Sequence, residues 1–278
     1  MNKKNQKSLS RKDITFEDKD QALRDDVRTL GAMVGDLIRE QSGEDLYQFV
    51  ESARQLAISR REDDKNPEKD LAHFVGGLDP DRALQVIRSF STYFQMVNTA
   101  EKVHRIRRRG EYLRDVDHFQ PSGIEDALIK LKDSGLNFDD LMKLLNSLSI
   151  EPIFTAHPTE STRRTILRKE QNIVKHLVAL LNPMLTPHEK NSALQNIRLL
   201  ATTGWQTDEH PSEQMTVADE LEHVLFFVTD VLYKAIPPFY ESLNNTISRI
   251  YDKKSEEIKV PNILHFGSWV GGDMDGNP

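Results

Sequence analysis

Apolar residues recur at helical spacing along most of this chain, and only two short stretches read as strand. Leu23, Val27, Leu30, Val34, Leu37 and Ile38 form one stripe; Leu46, Phe49, Val50, Ala53, Leu56 and Ala57 form a second. Residues three and four apart share a helix face, so each stripe calls for a helical partner to cover it. Asp79-Pro80 opens a further helix, because aspartate caps free amides and proline suits a first position whose N–H has no partner anyway. That helix runs through Leu84, Ile87, Phe90, Phe94, Val97 and Ala100 towards Arg109, with Gly110 as its expected stop. Ser122 and Glu125 have the spacing of a capping box for a helix ending near Gly135, and a short helix from Asp139 to Leu148 follows. The segment 62–70 has no apolar face and reads as a charged connector, while residues 1–20 read as a mobile N-terminal tail.

The first exception to helical spacing is Glu151 to Ala156, the expected end of a short buried strand. Pro158 has no N–H for a ladder and biases His157 towards extended backbone, so the strand stops there. Thr159 is an expected N-cap, and Ile166, Leu167, Ile173, Val174 and Leu177 continue a helix to about Leu181. The order is therefore strand, histidine, cap, helix. Two long helices follow, Pro187 to about Thr203 and Val217 to Tyr251, the second broken or kinked at Pro237-Pro238. Ile263 to Val270 reads as a second buried strand. The fold class is mainly α, with a helical region over 21–150 and the strand-bearing part over 151–278.

The chemistry concentrates where the pattern changes. His157 is followed six and seven residues later by Arg163 and Arg164. Free amides at a helix start attract anions, and guanidinium groups match phosphate or carboxylate oxygens in pairs. The plainer alternatives are a loop-bonding histidine and a solvated arginine pair. The segment Gly271-Gly272-Asp273-Met274-Asp275-Gly276-Asn277 lacks the Lys-Ser/Thr of a phosphate loop and the glycine step of a calcium loop, so by itself it reads as a tight turn. Asp208, Glu209 and His210 are adjacent, point in different directions on a helix, and suit structure better than a metal.

Several function classes are disfavoured. The basic run from His104 to Arg109 has no interleaved aromatics and the net charge is −7, so it reads as a solvated helix end and not a nucleic-acid surface. There is no cysteine, hence no disulfide or thiolate metal site, consistent with a cytoplasmic setting. The basic start has no apolar stretch behind it, and no run of about 18 apolar residues marks a membrane span.

Four blocks carry a resemblance. IFTAHPTESTRR (Ile153 to Arg164) resembles the first active-site signature of the phosphoenolpyruvate carboxylases. Phe266 to Pro278, FGSWVGGDMDGNP, is similar to their SW-x-GGDRDGNP block. Trp205-Gln206-Thr207-Asp208-Glu209 resembles their WQTDE block, and Asn98-Thr99-Ala100-Glu101 with His104 and Arg105 resembles an N-[LI]-A-E helix. Three departures stand out: Met274 replaces the family's arginine, Thr99 replaces an aliphatic residue, and His210-Pro211 replaces Ile-Arg.

The resemblance implies the start of a helix-rich (β/α)8 barrel over 151–278, in the N-terminal fragment of a longer bacterial-type enzyme. It implies a lyase joining bicarbonate to phosphoenolpyruvate to give oxaloacetate and phosphate, with Mg²⁺ or Mn²⁺ held by residues further along. It makes His157 the essential histidine, managing protons as carboxyphosphate yields CO₂ to the enolate. It places Arg163 and Arg164 with anionic ligands, including a sugar-phosphate effector. It puts Gly271, Gly272, Asp273, Asp275 and Asn277 on the active-site rim. The intact protein is expected to be a cytoplasmic homo-oligomer touching neither nucleic acid nor membrane, and residues 1–278 alone are expected to be inactive. The competing reading is a non-catalytic relic or helical module that binds an anion or a partner.

Overall fold

A computed structural model describes residues 17–62, 67–115, 119–155, 163–208 and 216–270. The chain divides into two compact units, Met1–Arg107 with Thr165–Asp208 and Arg108–Arg164 with Glu209–Pro278.

The first unit is helical. Its elements are α1 (Gln21–Ser42), α2 (Glu44–Glu62), α3 (Pro67–Gly76), the larger part of α4 (Pro80–Arg114), α7 (Arg164–Ala179) from its second residue, and α8 (Pro187–Trp205). Gly43 alone separates α1 from α2 and takes φ of 90°, a conformation that a side chain would strain. Both stripes fold inward: Leu30, Val34, Leu37, Ile38 and Leu46 are buried with Ile173, Ile197 and Trp205. Each fully buried aliphatic side chain contributes about 1.5–3 kcal/mol over an exposed one. Asp79 caps α4 as expected, accepting from the Arg82 N–H at 2.9 Å.

Two expectations for this stretch need correcting. The connector read over 62–70 instead enters α3 at Pro67, where proline again fits a helix start. Gly110 does not stop α4. The helix continues to Arg114, and Arg108 bridges the glycine by bonding Glu111 and the Tyr112 hydroxyl. Those contacts offset part of the roughly 1 kcal/mol cost of a mid-helix glycine.

The second unit contains α5 (Ile124–Asp133), α6 (Phe138–Ser147), β1 (Ile153–Phe154), α9 (Val217–Phe226), α10 (Tyr233–Tyr251) and β2 (Gly267–Ser268). Leu128, Leu141, Leu145, Leu243, Ile247, Ile258 and Ile263 form its core. The capping box expected at Ser122 is absent. Ser122 sits at φ 61°, Gly123 is the N-cap, and the Ser122 N–H donates to Asp126 Oδ2 at 2.8 Å. Asn137 caps α6 through the Asp140 N–H.

The helix break lies earlier than Pro237-Pro238. A π-helical turn, Phe227–Leu232, separates α9 from α10, and both prolines lie inside α10. The widened turn takes up the interruption one to two turns before the residues that lack N–H donors.

The strands are shorter and more exposed than expected. β1 and β2 pair in parallel, Ile153 opposite Gly267 and Phe154 opposite Ser268, with an isolated bridge between Ile150 and Leu264. The carbonyls of Ile150, Pro152 and Phe154 accept from the N–H groups of His265, Gly267 and Trp269 at 2.9–3.1 Å. Pro152 has no N–H to complete its rung, which explains why the ladder splits into a bridge and a two-residue strand. Gly267 sits close against its partner strand: a Cβ would lie 2.5 Å from Ile153 Cδ1, so the Ile153 side chain would have to turn aside. Ile153 is 40% and Trp269 53% exposed, so neither strand is buried among the described residues. Two strands do not close a barrel; the helical character is what the architecture establishes.

Candidate active-site region at the strand ends

Because β1 and β2 are parallel, their carboxyl ends lie on the same side. The Trp269 N–H donates to the Phe154 carbonyl at 2.9 Å, which ties those ends together. The chain leaves β1 through Thr155 towards His157 and leaves β2 through Val270 towards Gly271. His157 and the loop residues Gly271, Gly272, Asp273, Asp275 and Asn277 lie outside the described residues, as do Met274 and Thr159. Thr159 is not the cap expected of it, because α7 starts only at Arg164 and Arg163 before it is not helical.

The arginine pair is described, and its members differ. Arg163 is half-buried and makes no ion pair with another described residue. Arg164 is the first residue of α7 and is held by α9: its Nη1 donates to Glu222 Oε1 at 2.5 Å and its Nη2 to the Glu222 carbonyl at 3.1 Å. Its guanidinium carbon lies 5.7 Å from the Phe226 ring centroid, and its Nε is buried without a hydrogen-bond partner.

Aromatic rings line the same place. Phe154 stacks on Phe227 at 6.1 Å, and His223 meets Phe227 edge-on at 5.1 Å. Burial first, and the Arg164 charge second, hold the His223 imidazole below its usual value. His223 therefore favours the neutral form. Sequence reasoning missed Glu222, His223 and Phe227. Glu222 meets its arginine across 58 positions, a pairing that no local pattern encodes. The one usable signal was Thr216 with Asp219, whose capping box fixes where α9 begins.

The WQTDE-like block in the first unit has a structural part to play. Trp205 is buried, and Gln206 donates to Gln41 Oε1 on α1 at 2.8 Å. Lys169 on α7 donates to the Thr203 carbonyl at 2.7 Å and to Thr207 Oγ1 at 2.8 Å. Burial lowers the Lys169 ammonium pKa. Asp208 pairs with Arg88 of α4 at 2.8 Å. The block thus binds three different helices of its unit. Glu209 and His210 are outside the described residues.

The other motif helix is structural as well. Thr99 is fully buried and satisfies its hydroxyl on the Gln95 carbonyl at 2.8 Å, which lets it stand where an aliphatic residue is usual. The basic run is only partly solvated: His104 is buried, and Arg107 pairs with Asp26 at 2.7 Å. Among the described residues there is no group of three His, Cys, Asp or Glu that could hold a metal, and no helix is long and apolar enough to cross a membrane.

The architecture defines a class first: a mainly helical protein with a parallel strand pair whose carboxyl ends lead into a histidine segment and a glycine-rich segment. The phosphoenolpyruvate carboxylase family model matches residues 23–278, and the chain belongs to that family. A phosphoenolpyruvate carboxylase of Xanthomonas oryzae pv. oryzae is 48% identical over 269 residues, covering 96% of this chain and 29% of the relative. Those of Nitrosomonas europaea and Ralstonia nicotianae are 36% and 34% identical, covering 95% and 94% of this chain and 28% and 27% of theirs. The chain thus spans less than a third of the length of these curated relatives.

Proposed function

We propose that these residues are the amino-terminal part of an enzyme that carboxylates phosphoenolpyruvate with bicarbonate to oxaloacetate and phosphate. The observation that carries the reading is the shared edge of the strand pair. The segment bearing His157 and the segment bearing Gly271 to Asn277 leave the same side of β1 and β2. Active sites of parallel barrels form at the carboxyl ends of their strands. In this reading β1 and β2 are the first two strands of a helix-rich (β/α)8 barrel starting near residue 151, preceded by a helical region over 21–150.

His157 manages the proton as carboxyphosphate gives up CO₂ to the enolate. Arg163 and Arg164 are assigned to an anionic ligand, with a sugar phosphate as the candidate effector, because guanidinium donors match phosphate oxygens two at a time. Gly271, Gly272, Asp273, Asp275 and Asn277 form the rim. A divalent cation, Mg²⁺ or Mn²⁺, belongs to the reaction, but the described residues do not fit one and no step is drawn through it. The complete enzyme is proposed to work in the cytoplasm as a homo-oligomer, and residues 1–278 alone to lack turnover.

The test is a chimera that continues this chain with the remaining part of the Xanthomonas oryzae relative. The chimera is expected to form oxaloacetate, and His157→Asn to abolish that while leaving the melting temperature unchanged. Retained turnover in the His157→Asn chimera would remove His157 from the chemistry.

A further inference from the structure

We infer that Glu222 is an internal competitor for the anion site, a built-in carboxylate that occupies Arg164 until an anionic ligand displaces it. This rests on the assignment of the arginine pair to an anionic ligand. Glu222 presents to Arg164 what a phosphate or carboxylate ligand would present. Its Oε1 lies 2.5 Å from Nη1, and its backbone carbonyl accepts from Nη2 at 3.1 Å. Of its other donors, Nε is buried with no partner, so the guanidinium is only partly satisfied. A phosphate has more acceptor oxygens than one carboxylate oxygen and a carbonyl, and it can engage a guanidinium through two parallel bonds.

The surroundings make the contact reversible. The Arg164 side chain is 37% and the Glu222 side chain 62% exposed, so water and ligand both reach the pair. An exposed pair of this kind is held weakly. Phe226 supports the guanidinium from its ring face, so Arg164 keeps a seat after Glu222 leaves. The neighbouring His223 is kept towards its neutral form and adds no competing cation. Among the described residues no carboxylate pairs with Arg163, whereas Arg164 is latched by Glu222. Because Glu222 lies within α9, ligand binding releases the contact between Arg164 and the middle of that helix.

The experiment uses the 278-residue chain, with inorganic phosphate and a hexose 6-phosphate as probes in calorimetric titration. Glu222→Gln is expected to bind both about fivefold more tightly than the unmodified chain, the weight of one weak competing ion pair. Glu256→Gln, at an exposed glutamate elsewhere in the second unit, controls for the change in net charge and should leave affinity unchanged. If the unmodified chain binds the probes and Glu222→Gln binds no better than Glu256→Gln, the competitor role is wrong while the anion site stands. If neither the chain nor Glu222→Gln binds, and Arg163→Gln changes nothing, the anion site itself is wrong. Should Glu222→Gln fail to fold, the unmodified chain still decides: added phosphate should shift the Glu222 carboxyl carbon resonance towards that of a free glutamate, and an unmoved resonance during saturable binding overturns the proposal.

Discussion

The two units use their motif residues differently. In the first, Gln206, Thr207 and Asp208 each bond to a different helix, and Trp205 fills the core between them. In the second, β1 and β2 pair over two residues and leave Ile150, Ile153 and Trp269 largely exposed. Their carboxyl ends lead in sequence to His157 and to the glycine-rich segment. Similar-looking sequence blocks can therefore be distinguished by asking whether their polar atoms are already satisfied within the fold. The described part of the first unit's block, Trp205 to Asp208, is; the arginine pair of the second unit is satisfied only in part.

The sharpest way to break this contrast is to remove core from each unit. Trp205→Ala should cost about 3–5 kcal/mol and Ile247→Ala about 2–5 kcal/mol in urea denaturation. A loss below about 1 kcal/mol for Trp205→Ala would mean that its block is not structural. Lys169→Met should cost about 1–2 kcal/mol, because it removes two ammonium hydrogen bonds, while the Thr207 hydroxyl still donates to the Thr203 carbonyl. An unchanged midpoint would show the Lys169 contact to be dispensable.

Smaller effects belong to the second unit. A double-mutant cycle on Arg164→Gln and Glu222→Gln should give a coupling under about 1 kcal/mol, in keeping with a half-exposed pair. A coupling several times larger would make the pair a structural clamp and not a displaceable latch. His223 gives the smallest effect, with a defined sign. Its folded pKa lies below the ordinary imidazole value of about 6.5, so on acidification the unfolded chain takes up the proton first. The neutral ring costs nothing above that value; stability is lost as pH falls below it, down to the folded pKa. His223→Gln should flatten that part of the stability curve. Arg164→Gln should move the His223 titration midpoint upward in NMR, but only partly, since burial is the larger cause.

Much of the helical framework could be read from the chain because apolar spacing and caps are local. The stripes of α1 and α2, the Asp79-Pro80 start and the separate α5 and α6 all follow from neighbours within four residues. The failures involve competition between local signals. Ser122 matched a capping box but gave way to Asp126, and Gly110 was overridden by the contacts of Arg108. The π turn at Phe227–Leu232 left no mark comparable to Pro237-Pro238. The strand stretches were found, but their buried character was not, because burial depends on what packs against a strand. For the site, the sequence offered Arg163 and Arg164 as equals. Only the fold separates them, since the carboxylate that occupies one of them comes from 58 positions away.

The most direct test sets the two units against each other in the chimera with the Xanthomonas oryzae relative, measuring oxaloacetate formation per folded molecule beside the melting temperature. His157→Asn should abolish turnover at an unchanged melting temperature, whereas Thr207→Val should lower the melting temperature and keep the turnover. Turnover that survives His157→Asn, or that disappears in Thr207→Val at an unchanged melting temperature, would contradict the division between a structural first unit and a chemical second one.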